Sequence, residues 1–187
     1  MSAWDLPTSL SISGVDWQIR TDYRAILDIL KYFGDPDYEE DEQWIICLTI
    51  LYEDFEKMPL SLYEEAMKKA VDFIDMGISD KTKKPRVMDW EQDAPIIIPS
   101  VNRVLGKETR ALEYLHWWTF MGAYMEIGES LFSQILHMRI KKTKGKRLEK
   151  WEKEFYQENK ALIELKPKYT EEELRKKEAL ERMLDRK

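Results

Sequence analysis

The residues that most often carry catalysis or bind metal are scarce in this sequence. Its histidines are His116 and His137, and its one cysteine, Cys47, excludes an internal disulfide. Both histidines with one carboxylate would make a metal site, but a predicted helix break between them favours ordinary structural histidines. The His-Glu-x-x-His, Cys-x-x-Cys and Gly-x-Ser-x-Gly patterns are absent from the sequence. We therefore expect no enzyme, no cofactor and no metal.

Two acidic clusters suggest other chemistry. The first contains Asp35, Asp37, Glu39, Glu40, Asp41 and Glu42. A calcium-binding loop needs glycine at its sixth position and glutamate at its twelfth, which is Ile46 here. Acidic residues in a first helical turn complement the helix dipole, so this run predicts a helix start. In the second cluster, Asp89, Glu91 and Asp93 would allow acid–base catalysis, although closely spaced carboxylates are common on solvated segments.

The stretch from Arg139 to Lys153 is basic, and Trp151 and Phe155 lie in or beside it. Basic residues with aromatic neighbours are typical of proteins that stack on RNA. Glutamates interleave with the cations at helical spacing, as on a solvated helix with ion pairs. We favour a partner-binding or solvated helix over a nucleic-acid site. The candidate partner-binding residues are Arg139, Lys141, Lys142, Trp151, Phe155, Leu174, Leu180, Met183 and Leu184.

Composition and charge predict one domain with an appendage. The chain has 187 residues, of which 43% are hydrophobic and 35% charged. Its net charge is −6, but residues 139–187 carry 17 Lys and Arg against 11 Asp and Glu, and residues 1–138 carry 13 against 25. An acidic body disfavours general nucleic-acid binding. We expect a helical core domain over residues 1–140 and a charged helical extension over residues 141–187.

Periodicity predicts a mainly α fold. Alternating apolar and polar residues at 9–12 and 15–19 around Gly14 predict a short N-terminal β-hairpin. From Asp22 onward the period is near 3.6 residues, which predicts about six to eight helices. No leader pattern is present at the start, and three glutamates interrupt the most apolar stretch, residues 112–138. We therefore expect a cytoplasmic protein with no membrane contact.

Several helices have specific predicted features. Ser61 with Glu64, and Thr170 with Glu173, form capping-box patterns that mark two helix starts. One helix is predicted over about residues 107–127, and a long charged helix is predicted to end near residue 165. The helix that follows the first acidic cluster has so few polar residues that we expect it to be buried.

Two sequence clusters resemble a known family. The first is Asp89-Trp90-Glu91-Gln92-Asp93-Ala94, and the second is Leu115-His116-Trp117-Trp118-Thr119-Phe120. Together they resemble the hallmark of the bacteriophage "gp fifteen" family, which is found in phages and prophages of Gram-positive bacteria. Weaker similarity at residues 19–24 and at Met138-Arg139 extends the resemblance over roughly residues 19–165.

The resemblance implies a function in tail assembly. Members of this family are similar in size and genome position to chaperones that bind the tape measure protein and recruit tail tube subunits. It therefore implies a tail-assembly chaperone in the cytoplasm of the bacterial host cell, with self-association expected. A structural virion component, such as a tail or connector protein, is the alternative. A nucleic-acid-binding phage regulator is the second alternative, and salt-sensitive DNA binding would indicate it.

The family motif has a structural interpretation. Trp117 and Trp118 lie about 100° apart on a helix, so one of them should fill the core. We expect both, with His116, Phe120 and Tyr124, to line the packed centre near residues 89–93. His116 is expected to cap a helix or to bond a loop, for instance the one that carries Asp89 or Asp93.

The extension has too thin an apolar stripe to fold alone. It either packs back on the acidic body or docks on a neighbouring copy. The opposite charges of the two parts favour head-to-tail association of the second kind.

Overall fold

The computed structural model of the chain describes residues 4–78 and 85–184, and the side chains of its last helix as far as residue 177. At the N-terminus, strand β1 (Ser9–Ile12) pairs antiparallel with β2 (Val15–Gln18). The turn residues Ser13 and Gly14 both have positive φ, at 48° and 80°, as tight hairpin turns require. This is the predicted hairpin.

Apart from the hairpin and two isolated β-bridges, the regular secondary structure of the described chain is helical, so the fold is mainly α as predicted. Its nine α-helices are α1 (Tyr23–Phe33), α2 (Glu40–Leu51), α3 (Tyr63–Ile74), α4 (Ala94–Leu105), α5 (Trp117–Met125), α6 (Leu131–Thr143), α7 (Lys150–Glu158), α8 (Lys160–Ile163) and α9 (Glu171–Leu184). Within the described ranges, none of these helices is long and apolar enough to cross a membrane.

The helix predicted over residues 107–127 is shorter than expected. The chain makes a 3-10 turn at Thr109–Ala111, and α5 begins only at Trp117. The segment between them is extended because its backbone pairs with the entry to α1. Tyr23 N–H donates to Leu115 O at 2.9 Å, and Trp117 N–H donates to Thr21 O at 2.7 Å. Tertiary hydrogen bonds here replace those of a helix.

Two other predicted helices also differ. Ser61 lies inside a 3-10 turn (Leu60–Leu62), so α3 begins at Tyr63 without the predicted capping box. The helix predicted to end near residue 165 divides into α7 and α8 at Asn159, whose side-chain amide donates to Phe155 O at 3.0 Å. The box at Thr170 forms as predicted, since Thr170 N–H reaches the Glu173 carboxylate at 2.9 Å.

The hairpin and helices α1 to α5 enclose the main hydrophobic core. Helix α2 contributes Cys47, Leu48 and Leu51, but Trp44 and Ile45 on the same helix are exposed. The prediction that α2 is buried is therefore wrong for one of its faces. Burial raises the pKa of the Cys47 thiol to about 12.

A second, smaller cluster fixes the start of the extension. Ile135 and Met138 of α6 pack against Ile163 of α8, with Phe155 of α7 beside them. The predicted boundary between residues 140 and 141 falls inside α6. The extension thus continues directly from the core, and α7 and α8 fold back on α6.

Candidate functional site

Asp93 of the family motif forms a buried ion pair with Arg139. Asp93 precedes α4 and Arg139 lies on α6, and their side chains are 1% and 4% exposed. The guanidinium donates to both carboxylate oxygens, at 2.6 Å and 2.8 Å. A bidentate pair of this kind is geometrically specific, so it fixes the position of α4 relative to α6.

Every N–H of Arg139 is used inside the protein. Nε donates to Ile163 O at 2.8 Å, Nη1 also donates to Val87 O at 3.1 Å, and Nη2 also donates to Leu162 O at 2.5 Å. With the two bonds to Asp93, all five donors of the guanidinium are satisfied. Arg139 is therefore an internal clamp, which corrects the prediction that it contacts a partner.

Asp89 organises the turn that leads into α4. Its carboxylate accepts hydrogen bonds from the backbone N–H of Glu91 at 3.0 Å and of Gln92 at 2.8 Å, and it pairs with Arg86. Burial acts to raise the pKa of Asp89, but the hydrogen bonds from Gln92 and Arg86 outweigh it and the pKa lies below its ordinary value. Such a carboxylate remains ionised, and its hydrogen bonds stabilise the turn before α4.

The other two polar residues of the first motif cluster, Glu91 and Gln92, are also paired. Glu91 lies 3.2 Å from Lys31 in a half-exposed ion pair. The side chain of Gln92 donates to Glu164 O at 2.8 Å and accepts from Lys166 N–H at 2.9 Å. Each carboxylate of the second acidic cluster thus has a structural partner.

The two tryptophans of the second cluster bind the end of α3. The indole N–H of Trp117 donates to Ile74 O at 2.8 Å, and that of Trp118 donates to Phe73 O at 2.9 Å. Trp117 is 1% exposed and Trp118 is partly buried. Trp117 therefore bonds a carbonyl at the C-terminus of α3, where intrahelical partners are missing, and Trp118 adds a second donor to Phe73 O, which also accepts from Met76 N–H at 3.1 Å. Leu115 and Phe120 are buried beside them.

His116 caps α5. Its Nδ1 accepts from Trp118 N–H at 3.0 Å, and its Nε2 lies 3.0 Å from Pro7 O. A carbonyl oxygen only accepts, so Nε2 carries the hydrogen. His116 thus makes the expected cap and loop bond, but the loop is the N-terminal segment at Pro7 and not the one that carries Asp89 or Asp93.

Unlike His116, which is buried, His137 is exposed. It lies on α6 with its Nε2 3.5 Å from the Glu152 carboxylate. Across residues 4–78 and 85–184, no group of three potential metal ligands lies together.

Of the remaining candidate partner-binding residues, two lysines have bonding partners within the chain and two apolar residues are exposed. Lys141 Nζ reaches both oxygens of buried Glu152 at 2.6 Å, and Lys142 Nζ donates to the Tyr156 hydroxyl at 2.8 Å. Trp151 is 57% exposed and Leu174 is 43% exposed.

Phe155 belongs to the smaller apolar cluster. Leu180, Met183 and Leu184 lie outside the described side chains.

One surface feature was missed by sequence reasoning. An open depression of about 360 Å³ lies between α3 and α5. We call it the methionine pocket, and its main apolar lining consists of Met76, Ile78, Trp90, Trp117, Met121 and Met125. The i,i+4 spacing of Met121 and Met125 on one helix is the sequence signal that would have indicated it.

The methionine pocket contains two aromatic residues of the family motif. Trp90 and Trp117 meet edge to face with ring centroids 6.2 Å apart. Asp75 lies at the rim, and burial, with a smaller contribution from Asp72, raises its pKa. A rigid aromatic floor with flexible thioether walls suits the binding of apolar side chains of different shapes.

The fold and this site define a mainly α protein whose motif residues form a structural clamp beside an open, methionine-rich depression. A family model described as "Bacteriophage Gp15 protein" matches residues 4–165, and the chain belongs to this family. It is thus a bacteriophage protein of the structural or morphogenesis class. No curated protein and no solved structure matches the chain.

Proposed function

We propose that this protein is a tail-assembly chaperone that binds the tape measure protein and recruits tail tube subunits in the bacterial host cytoplasm. Family membership supports a role in phage structure or morphogenesis. The methionine pocket is the observation that carries the finer assignment, because it offers exposed methionine and isoleucine side chains to a helical client. We further propose that the protein acts by binding and not by catalysis.

The chemistry of the pocket fits a long helix with many different apolar residues. Met125 is 53% exposed and Ile78 is 68% exposed, so an incoming side chain meets them first. Unbranched methionine side chains adapt to partners of varied shape. A chaperone that covers successive segments of one long helix needs this tolerance, since no two segments present identical side chains. Helix-in-groove binding is the expected mode.

Charge supports the same role. Residues 1–138 have a net charge of −12, with 13 basic and 25 acidic residues. Like-charged coats repel one another, so a client covered by this body is protected from aggregation. The pocket thus supplies attachment and the surrounding acidic surface supplies colloidal stability.

Co-expression with the tape measure protein of the same phage tests the proposal. We expect the tape measure protein to remain in the supernatant and to co-purify with the wild-type chain. Met125→Glu and Ile78→Glu, each at an exposed pocket position, should abolish this rescue. The matched control is Leu60→Glu, because Leu60 is 81% exposed and lies outside the pocket.

The outcomes separate the chaperone from its alternative. If the tape measure protein precipitates with wild-type protein as it does alone, the chaperone proposal is rejected. The virion-component alternative predicts that the protein is present in purified particles, whereas a chaperone is absent from them. Immunoblotting of purified virions decides between these two.

A further inference from the structure

A second groove lies at the surface between α2 and α3. It encloses about 750 Å³, and its apolar surface comes from Trp44, Met67 and Val71. Trp44 and Val71 are each 37% exposed. The sequence predicted that the whole of α2, and so this face as well, is buried. Its apolar residues therefore lie where a packing partner is expected.

The charged residues of this α2–α3 groove are mostly acidic. Glu64 and Asp72 border it, together with Glu65, which already accepts hydrogen bonds from Ser13. One cation, Lys68, lies among them. A partner for this groove should therefore combine an apolar anchor with positive charge.

The extension carries a surface with that composition. Its basic face, as we define it, consists of Arg147, Lys150, Trp151 and Lys153, all exposed. The exposed Glu149 and Glu154 lie among them, so three cations face two carboxylates and the net charge of this surface is +1. Over the described part of the chain, none of the three cations forms an ion pair. Trp151 is 57% exposed, and its indole N–H is bonded only to neighbouring Glu149.

The inner side of α7 explains why this face is left outside. Buried Glu152 binds Lys141, and Phe155 packs on the smaller cluster, so these two residues fix the rotation of α7. Lys150 consequently lies near the centre of the outer side of α7, and Trp151 and Lys153 lie at its two edges, about 160° apart around the helix axis. The basic face is thus held rigidly by the fold.

We propose that the basic face of one copy docks in the α2–α3 groove of a second copy. Trp151 would contact Trp44 and Val71, while Lys150 and Lys153 meet Glu64 and Asp72. Tryptophan and charged residues are enriched among interface hot spots, and here Trp151 lies at one edge of the charged surface. The opposite charges supply orientation and a salt-dependent association rate.

The two surfaces are different, so the contact is head-to-tail. Each docked copy retains one free groove and one free basic face, and the assembly grows until it closes into a ring or ends as an open chain. The proposal stands independently of tape measure binding, because the methionine pocket takes no part in it.

Sedimentation of full-length charge-reversal variants tests the proposal. Wild-type protein should form concentration-dependent oligomers at about 0.05 M salt and dissociate at least about tenfold more readily at about 0.5 M salt. Lys150→Glu with Lys153→Glu removes the basic face, and Val71→Lys blocks the groove. Each variant alone should be monomeric. A mixture of the two variants should give a 1:1 dimer and nothing larger, since only one intact groove and one intact basic face can meet.

The control variant is Lys107→Glu with Lys160→Glu, which makes the same charge change at two exposed positions outside both surfaces. It should associate like wild type. The proposal is overturned if wild type is monomeric at low salt. It is also overturned if the variants associate like wild type, or if their mixture stays monomeric while circular dichroism shows native helix content.

Cross-linking gives a second, independent measurement. Cys47 is buried, so introduced cysteines report without interference from it. Val71→Cys protein mixed with Lys153→Cys protein should form a disulfide-linked dimer on mild oxidation. Pairing Val71→Cys with Lys107→Cys should form none, and equal yields in the two mixtures would contradict the specific contact.

Discussion

Arg139 of α6 holds the carboxylate of Asp93 through two hydrogen bonds of 2.6 Å and 2.8 Å, with both side chains almost completely buried. The remaining N–H groups of Arg139 bind carbonyls of Val87, Leu162 and Ile163. One side chain thus joins the motif segment, α6 and α8. In the motif, Asp93 is the acceptor that makes this junction possible.

Loss of that acceptor should be severe. Asp93→Asn keeps the shape but leaves Arg139 buried without a counter-charge, which costs about 3–5 kcal/mol of the free energy of unfolding. Urea denaturation measures the change. Glu91→Gln is the matched control, because Glu91 is 55% exposed in its pair with Lys31 and should change stability by about 0–1 kcal/mol. Equal effects of the two substitutions would contradict the clamp.

Trp117 should contribute more to the free energy of unfolding than Trp118. Trp117→Ala removes a side chain that is 1% exposed and should cost about 3–5 kcal/mol of stability. Trp117→Phe retains most of the ring but leaves Ile74 O without its indole partner, which should cost about 1–3 kcal/mol. Thermal unfolding of both variants and of Trp118→Ala gives the order. A larger loss at Trp118 would refute the assigned packing.

Glu152 should make stability depend on pH. The hydrogen bond from Lys141, and then that from Glu149 N–H, lower its pKa from 4.5. The ionised form is thus favoured by folding, so the stabilisation is complete above pH 4.5 and is lost as the pH falls through the lower folded pKa. The stability difference between wild type and Glu152→Gln should shrink between about pH 7 and about pH 3.

The control for this measurement is Glu154→Gln, at an exposed position on the same helix. Its stability difference from wild type should be small and nearly constant over the same pH range. A Glu152→Gln difference that stays constant, or grows on acidification, would show that the lowered pKa is not coupled to folding.

Cys47 should be inert in the folded protein. Burial raises the pKa of its thiol to about 12, and the side chain is inaccessible, so the reactive thiolate is nearly absent at neutral pH. A chromogenic disulfide reagent should react slowly with native protein and at once in denaturant. Rapid native reaction in stoichiometric yield would show that α2 opens readily.

Local signals in the sequence predicted the hairpin and most helices. The alternation around Gly14 and the capping pattern at Thr170 are read from a few adjacent residues, and both are present in the structure. The helix predicted over 107–127 failed because its start is held in extended form by backbone bonds to Thr21 and Tyr23. Hydrogen bonds between segments so distant in sequence cannot be predicted from local periodicity.

The candidate site was predictable only in part. The sequence indicated that Asp93 and Trp117 belong to one motif, but it offered Arg139 as a partner-binding residue. A basic residue at the start of a basic run resembles its neighbours, and only the fold reveals that α8 closes over it. The N-terminal partner of His116 was equally hidden, because Pro7 carries no polar side chain.

The bonds made by residues 162–166 bear on the order in which the chain folds. The side chain of Gln92 bonds the backbone of Glu164 and Lys166, and Arg139 bonds the carbonyls of Leu162 and Ile163. These hydrogen bonds can form only after residues 162–166 have been synthesised. A nascent chain that ends before these residues carries an incompletely bonded guanidinium in its interior. We therefore expect the ion-pair region to be completed late in translation, with truncated products as substrates for host proteases.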